Sequence, residues 1–587
     1  MRIHQLVRPA LVAALFAAVP LAAQISVSGA RGDDDRLSDD GPPAPDLGPS
    51  TVEHFNAVVV SSADGRPVPR VLVTSPDRRL AVLTDSEGRF SFDYRRSSAA
   101  TAQAFSPYQS IGGSAQAMLP IQFMLRKPGY VTAGQMLRIP AVKPETPEAT
   151  LELKITPTAV LTGHVYAESG QLPAGMFVQL RRLQVQNGSA LWQPSSGSQV
   201  GSGGQFRIAN LQPGDYKLMT SGRVLGAVAA ENRRPQPASI TGMLPSFYPG
   251  ADSLDSAAVI HLAPGQTATA DLTARTAPFY RVTVPVSDLD AGRGVGANIR
   301  PEFGFNLNFS SQNHQLQGYL PSGSYTVRVT WMGEPPSTAV DHLQVSGAPV
   351  DAPAVHPAAA SELPVIVHRE FTGSLAENVN NTMPSVYVNL QPVDPQSGAT
   401  AAMAPARQNQ GDDGLSIQNL SEGLYHVIVF PRMGYVASVT SGSTDLLRDP
   451  LAVSSAGSAE PIEITLRDDF ATLDLHVQPA GPAGPDAATQ PSGSAQVFLL
   501  LIPLDRLQTQ GFVISWPPTG QNEYTLPRQP PGRYLVLASL DQATLNNIEY
   551  HNPDVLRKLL AQGAQVTLVA GEKTDAQVTL MPEEANE

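Results

Sequence analysis

The sequence predicts an all-β fold, a tandem array of about five small β-sandwich modules. The first observation is a phrase that recurs four times: Leu211-Gln212-Pro213-Gly214-Asp215-Tyr216, Leu320-Pro321-Ser322-Gly323-Ser324-Tyr325, Leu420-Ser421-Glu422-Gly423-Leu424-Tyr425 and Gln529-Pro530-Pro531-Gly532-Arg533-Tyr534. Its glycines lie 109, 100 and 109 residues apart, a spacing that holds one sandwich per repeat. The second observation is period-two alternation on either side of the glycine, with Phe206 and Ile208 before it and Tyr216 and Leu218 after it. That alternation marks strands with one face in a core. The third is composition: 48 Gly and 53 Pro in 587 residues, with 42% apolar residues, as expected of short strands joined by tight turns in a folded chain.

The chain opens with a targeting signal. Arg2 to Arg8 is basic, Ala10 to Ala23 is apolar but too short to span a bilayer, and small residues precede Gln24. Residues 1–23 therefore read as a cleaved signal peptide. Residues 24–52 read as a disordered leader, since Asp33-Asp34-Asp35 and Gly41-Pro42-Pro43 offer almost nothing to bury. The chain has no cysteine, so neither a lipidated export signal nor a disulfide is expected, and each module must stand on its own core. No later segment is apolar enough to cross a membrane as a helix. The expected location is outside the cytoplasm of a bacterium, periplasmic or extracellular. The net charge of −13 and the lack of any basic block argue against nucleic acid.

The first module, 53–156, opens with a strand over 55–60, a turn at Asp64-Gly65-Arg66-Pro67 and a strand over 71–74. In Thr84-Asp85-Ser86-Glu87-Gly88-Arg89-Phe90 the Asp85 side chain caps a turn, Gly88 takes a left-handed conformation, and Phe90 and Phe92 re-enter the core. A long inserted loop is expected over 95–117, and Lys127-Pro128-Gly129-Tyr130 closes the following strand. These three phrases resemble the carboxypeptidase regulatory-like domain. The resemblance implies a seven-stranded, transthyretin-like sandwich, close to starch-binding-like and collagen-binding modules. It is good over this module and weaker later, where Pro245-Ser246-Phe247-Tyr248-Pro249-Gly250-Ala251, Gly434-Tyr435 and Asp445-Leu446-Leu447 resemble secreted bacterial proteins carrying such domains. For those proteins it implies an accessory or binding role.

The remaining modules, with an Ig-like or transthyretin-like plan, are expected at 157–277, 278–362, 363–469 and 470–582. Residues 348–360, rich in Ala and Pro, read as a linker, and 553–562 as the one short helix. The repeat glycines Gly214, Gly323, Gly423 and Gly532, with Gly88, are read as structural turns that need a positive φ. Each following tyrosine is expected to point its ring inward and its hydroxyl toward the turn.

No catalytic pattern emerges. A zinc carboxypeptidase needs a His with a Glu three residues on, and none of the 11 histidines has one. There is no Gly-x-Ser-x-Gly elbow and no phosphate loop. Neither an enzyme, a cofactor nor a metal is expected. For binding, the candidates are the tryptophans, whose flat rings stack on sugars when exposed and otherwise pack at a sandwich end. Trp331 shares parity with Tyr325, Val327 and Val329 and reads as core. Trp192, in a polar hairpin that precedes a stretch read as a hairpin loop (195–204), and Trp516, before two prolines, are the candidate stacking residues. The function expected is that of a secreted, non-catalytic protein binding carbohydrate or protein at the cell envelope. The alternative is a spacer or accessory part of an uptake, export or degradative system. Glycan or an envelope protein is the expected partner, and the sequence leaves the oligomeric state open.

Overall fold

The computed structural model describes residues 50–75, 80–97, 121–137, 151–225 except 169, 171, 173 and 174, 237–287, and 294–356 except 301–304, 306, 312 and 333–336. It continues over 362–372, 386–393, 402–403, 415–454 except 419 and 421, 459–479, 497–506, 512–514 and 522–581. The stretches read as signal peptide and leader, up to residue 49, most of the stretch read as an inserted loop, and Trp516 lie outside the described residues. Thr51–Arg96 and Ala100–Glu587 form one contact unit. The first strand, Ser50–Ser61, begins within the stretch read as leader.

The sandwiches share one plan. In each, the opening strand has an antiparallel neighbour on one side and a parallel closing strand on the other. Ser50–Ser61 sits between Arg89–Ser97 and Leu151–Ile155. Ala159–Ala167 sits between Gln205–Leu211 and the short strands Thr267–Thr269 and Leu272–Ala274. Thr276–Pro285 pairs with Gln315–Pro321 and with Val350–Asp351. Glu362–Glu370 lies between Leu415–Gln418 and Ile462–Arg467, and Ala471–Gln478 between Glu523–Gln529 and Lys573–Thr579. A second sheet faces each of these, and the alternate residues of both sheets fill one separate apolar core per sandwich.

The recurrent phrase is the corner between those two sheets. Gln205–Leu211 belongs to the first sheet and Gly214–Thr220 to the second, and the same switch occurs at Gly323, Gly423 and Gly532. The glycines have φ of 140°, 159°, 150° and 146°, well beyond the left-handed helical range of roughly 50–70°. Gly88, at 71°, is the left-handed one. The tyrosine two residues on turns its ring into the core and its hydroxyl back over the corner. Tyr216, Tyr325 and Tyr534 donate to the carbonyls of Gln212, Pro321 and Pro530 at 2.5, 3.0 and 2.8 Å. Each hydroxyl thus satisfies the carbonyl two residues before the glycine, which makes the phrase a tyrosine corner.

Two expectations need correction. Residues 348–360 are not simply a linker: Val350–Asp351 is the closing strand of the third sandwich, Val286 and Val355 form a parallel bridge, and Val350, Ala352 and Val355 pack on its core. Small and apolar residues at alternate positions outweigh the proline content. The expectation that each module stands on its own core also needs amending where the second and third sandwiches join. Strand Ser239–Met243, inside the stretch assigned to the second sandwich, pairs antiparallel with Thr276–Pro285, and one sheet runs on into the third.

Contacts also reach beyond neighbours. The tip of the hairpin formed by Phe177–Gln186 and Ser189–Gln199 touches the fifth sandwich: the His551 amide donates to Gly188 O at 3.0 Å, and Ser189 Oγ lies 2.8 Å from His551 Nδ1. Arg506 of the fifth donates to the carbonyls of Val436 and Ala437 in the fourth.

Segments inserted after the corner strand cover the outer faces of two sheets. In the second sandwich, residues 244–259 pack Phe247 and Ala257 over Met219. In the fifth, helices Gln542–Asn546 and Pro553–Gln562 and the turn between them pack Leu545, Ile548, Tyr550 and Leu559 over Leu535 and Leu537. The longer helix matches its sequence expectation, with Asn552 as N-cap and proline in its first turn. The shorter one, capped by Asp541, was not anticipated.

Candidate functional site

The described residues enclose a cleft of about 880 Å³ where the second and third sandwiches meet. Trp192 supplies its aromatic surface. The residue lies on a hairpin strand: the hairpin turns at Asn187-Gly188, whose φ values of 49° and 77° suit a two-residue turn, and Trp192 pairs across it with Leu183. The strand runs on to Gln199, through half of the 195–204 stretch read as a loop, because a hairpin strand with one solvated face carries many Ser and Gln without losing its ladder.

Beneath the ring is a buried cation. Lys217 lies on the corner strand with parity opposite to Tyr216 and Leu218, so it points out of the core. It is nevertheless only 5% exposed. The 244–259 segment closes over it, and its Nζ donates to the carbonyls of Leu254 and Asp255 at 2.8 and 3.0 Å. The same Nζ lies 4.8 Å from the Trp192 ring centre, within cation–π range. Trp192 lines the cleft and Lys217 does not, so the half-buried ring stands between the ammonium and the open space.

Arg181, Ser253, Leu254 and Asp255 complete the wall from the second sandwich. Arg181 Nη1 lies 3.4 Å from the Trp192 carbonyl. The opposite wall is the outer face of the third sandwich, where Ser324 is paired with Gln344 and Thr326 with His342 on adjacent strands. Ser324 Oγ donates to Gln344 Oε1 at 2.5 Å, and Thr326 Oγ1 lies 3.3 Å from His342 Nδ1. Arg300, paired with Thr326 on the neighbouring strand, extends this wall. Close by on the same face, Arg328 is buried beside Tyr425 of the fourth sandwich, and desolvation pulls its pKa down.

Trp331, read as core, is 1% exposed and donates its indole N–H to Ser287 O at 3.1 Å. The structural glycines occupy the corners described above, and Gly88 the turn after Asp85, whose Oδ1 accepts from the Glu87 and Arg89 amides at 3.0 and 2.7 Å. Sequence reasoning missed Lys217, Arg181, Arg300 and His342. They belong to no motif, and only the packing of two sandwiches gathers them. Among the described residues, no group of three or more His, Asp or Glu side chains could hold a metal ion, and no helix is long and apolar enough to cross a membrane.

No family model and no curated protein matches this chain. Solved structures do. The Bacillus anthracis TIE protein is 9% identical over 73% of this chain and 75% of its own, with a TM-score of 0.16. GBS52, the minor pilin of Streptococcus agalactiae, is 12% identical over 40% of this chain and 99% of its own, with a TM-score of 0.17. Two B repeat units of the collagen binding protein of Staphylococcus aureus are 10% identical over 65% of this chain and 92% of their own, with a TM-score of 0.13.

Proposed function

We propose that this is an exported, non-catalytic protein of the bacterial envelope whose sandwiches, at 53–156, 157–277, 278–362, 363–469 and 470–582, serve as a scaffold for binding carbohydrate or protein. The observation that carries the binding reading is the Trp192 cleft, where a half-buried aromatic ring faces a polar ladder of Ser324, Thr326, His342 and Gln344. A flat ring opposite hydroxyl, amide and imidazole groups is what a sugar needs, since its C–H face is apolar and its rim is all hydroxyls. The resemblance of the first sandwich to the carboxypeptidase regulatory-like domain, in its Asp85–Gly88 turn and Lys127–Tyr130 phrase, favours the same accessory role. Trp516 is retained as a second stacking candidate on sequence grounds alone.

A second reading, a spacer within an uptake, export or degradative system, draws support from the joints. The sheet shared through Ser239–Met243 and the Arg506 clamp limit hinge motion between neighbouring sandwiches. A glycan array and an envelope extract, each probed with the full chain and with Trp192→Ala and Trp192→Phe, test the choice. Glycan retention lost in Trp192→Ala, with melting unchanged in Trp192→Phe, is the expected result. Retention that ignores both substitutions removes the cleft from the function.

A further inference from the structure

We propose that the cleft takes an acidic carbohydrate, a chain whose sugars bear carboxylates, with one sugar ring on Trp192 and carboxylates directed to Arg181 and Arg300; this rests on the carbohydrate reading above. Charge is the first argument. The charged groups lining the cleft are Arg181, Arg300 and Asp255, with His342 and Tyr325 as further ionisable side chains, a cationic excess within a chain of net charge −13. Behind the ring, Lys217 adds a fixed positive charge whose two hydrogen bonds go to backbone carbonyls, leaving the ammonium without a carboxylate partner in those bonds. Low-dielectric walls concentrate such a field in a cleft.

Geometry is the second argument. The guanidiniums enter from opposite sandwiches, Arg181 beside the Trp192 carbonyl on the ring's own wall and Arg300 on the strand Val295–Arg300 of the other. Guanidinium is the group that meets carboxylate through paired N–H donors. A neutral sugar would need only the ring and the hydroxyl-binding ladder. That ladder is also present: the Ser324 hydroxyl bonds Gln344 Oε1, which leaves the Gln344 amide nitrogen to donate. The volume of about 880 Å³ lies inside the roughly 300–1,000 Å³ typical of ligand sites. A peptide whose side chains are all carboxylates could satisfy the arginines but has no flat apolar face for Trp192, so carbohydrate is favoured.

Isothermal titration of the full chain with a hexameric oligogalacturonate, with its carboxyl-reduced neutral counterpart and with hexaglutamate decides the matter. The acidic sugar is expected to bind about tenfold or more tighter than the neutral one, as one charge-assisted pair provides. That preference should shrink as salt rises from about 50 to about 500 mM. Arg300→Gln should shrink the preference severalfold, by weakening the acidic sugar more than the neutral one, while Trp192→Phe should weaken both sugars. Equal binding of the two sugars overturns the acidic assignment and leaves the carbohydrate reading standing. Binding of neither overturns both. Hexaglutamate binding that matches the acidic sugar and ignores Trp192→Phe makes this a peptide site and overturns the proposal.

Discussion

The hydroxyl of Tyr534 donates to the carbonyl of Pro530 at 2.8 Å, across the corner that Gly532 turns. Burial pushes the phenol pKa up to about 12. The folded state therefore holds its proton where the unfolded chain, near 10, has begun to lose it. Stability from this group is complete below about pH 10 and is lost as pH rises through about 12. Tyr534→Phe should cost about 1–2 kcal/mol at neutral pH, since the Pro530 carbonyl loses its partner, and should flatten this alkaline loss in the fifth sandwich. Denaturant melts at pH 8 and near pH 11 measure both. An unchanged alkaline slope in Tyr534→Phe would mean the hydroxyl is not the titrating group.

Two glycines should differ in cost although both have positive φ. An added Cβ at Gly532 meets nothing nearer than Tyr534 Cε2 at 3.8 Å, whereas at Gly88 it meets Val59 O at 2.8 Å and Val68 N at 2.9 Å. Gly532→Ala should cost about 1–3 kcal/mol from backbone strain alone. Gly88→Ala adds a collision with two backbone atoms and should cost more than Gly532→Ala. Chemical denaturation of the two variants gives the order, and the reverse order would mean the first sandwich yields at that turn.

The shared sheet predicts an effect at a distance in sequence. Gly242 pairs with Ala277 in the third sandwich, and a Cβ there would lie 2.4 Å from the ring of Phe279. Phe279 is fully buried and packs edge-on to Phe305 at 5.7 Å, so the ring has little room to move. Gly242→Val should destabilise the third sandwich by about 1–3 kcal/mol through overpacking. Hydrogen exchange resolved by segment should show faster exchange in Thr276–Pro285 and Gln315–Pro321. Effects confined to the second sandwich would count against the continuous sheet.

Lys217→Met keeps the stem and removes the ammonium. The carbonyls of Leu254 and Asp255 then lose their donor, at about 1–3 kcal/mol, and the 244–259 cover should loosen. Hydrogen exchange at residues 253–257 and a red shift of Trp192 fluorescence report this. Exchange as slow as in the parent protein would show that apolar packing on Met219 holds the cover by itself.

The sequence by itself determined the fold class and the corners. Alternation at Tyr325, Val327 and Val329 left one face for a core, and a glycine followed by a tyrosine two residues on is a local solution to switching sheets. Trp331 followed from the same parity. The tertiary structure decided whatever depends on how sheets and sandwiches meet. Strand parity points Lys217 outward, and nothing in Gly214–Thr220 foretells that residues 244–259 bury it under Trp192. Within the Ala- and Pro-rich stretch read as a linker, Val350–Asp351 forms a closing strand because the parallel edge beside Thr276–Pro285 takes it, and Val355 continues the pairing at Val286. Arg181 and Arg300 stand 119 residues apart in the chain, and only the packing of one sandwich against the next makes them two walls of one cleft. Periodicity reports which face a side chain occupies. It carries no information on what the rest of the chain places over that face.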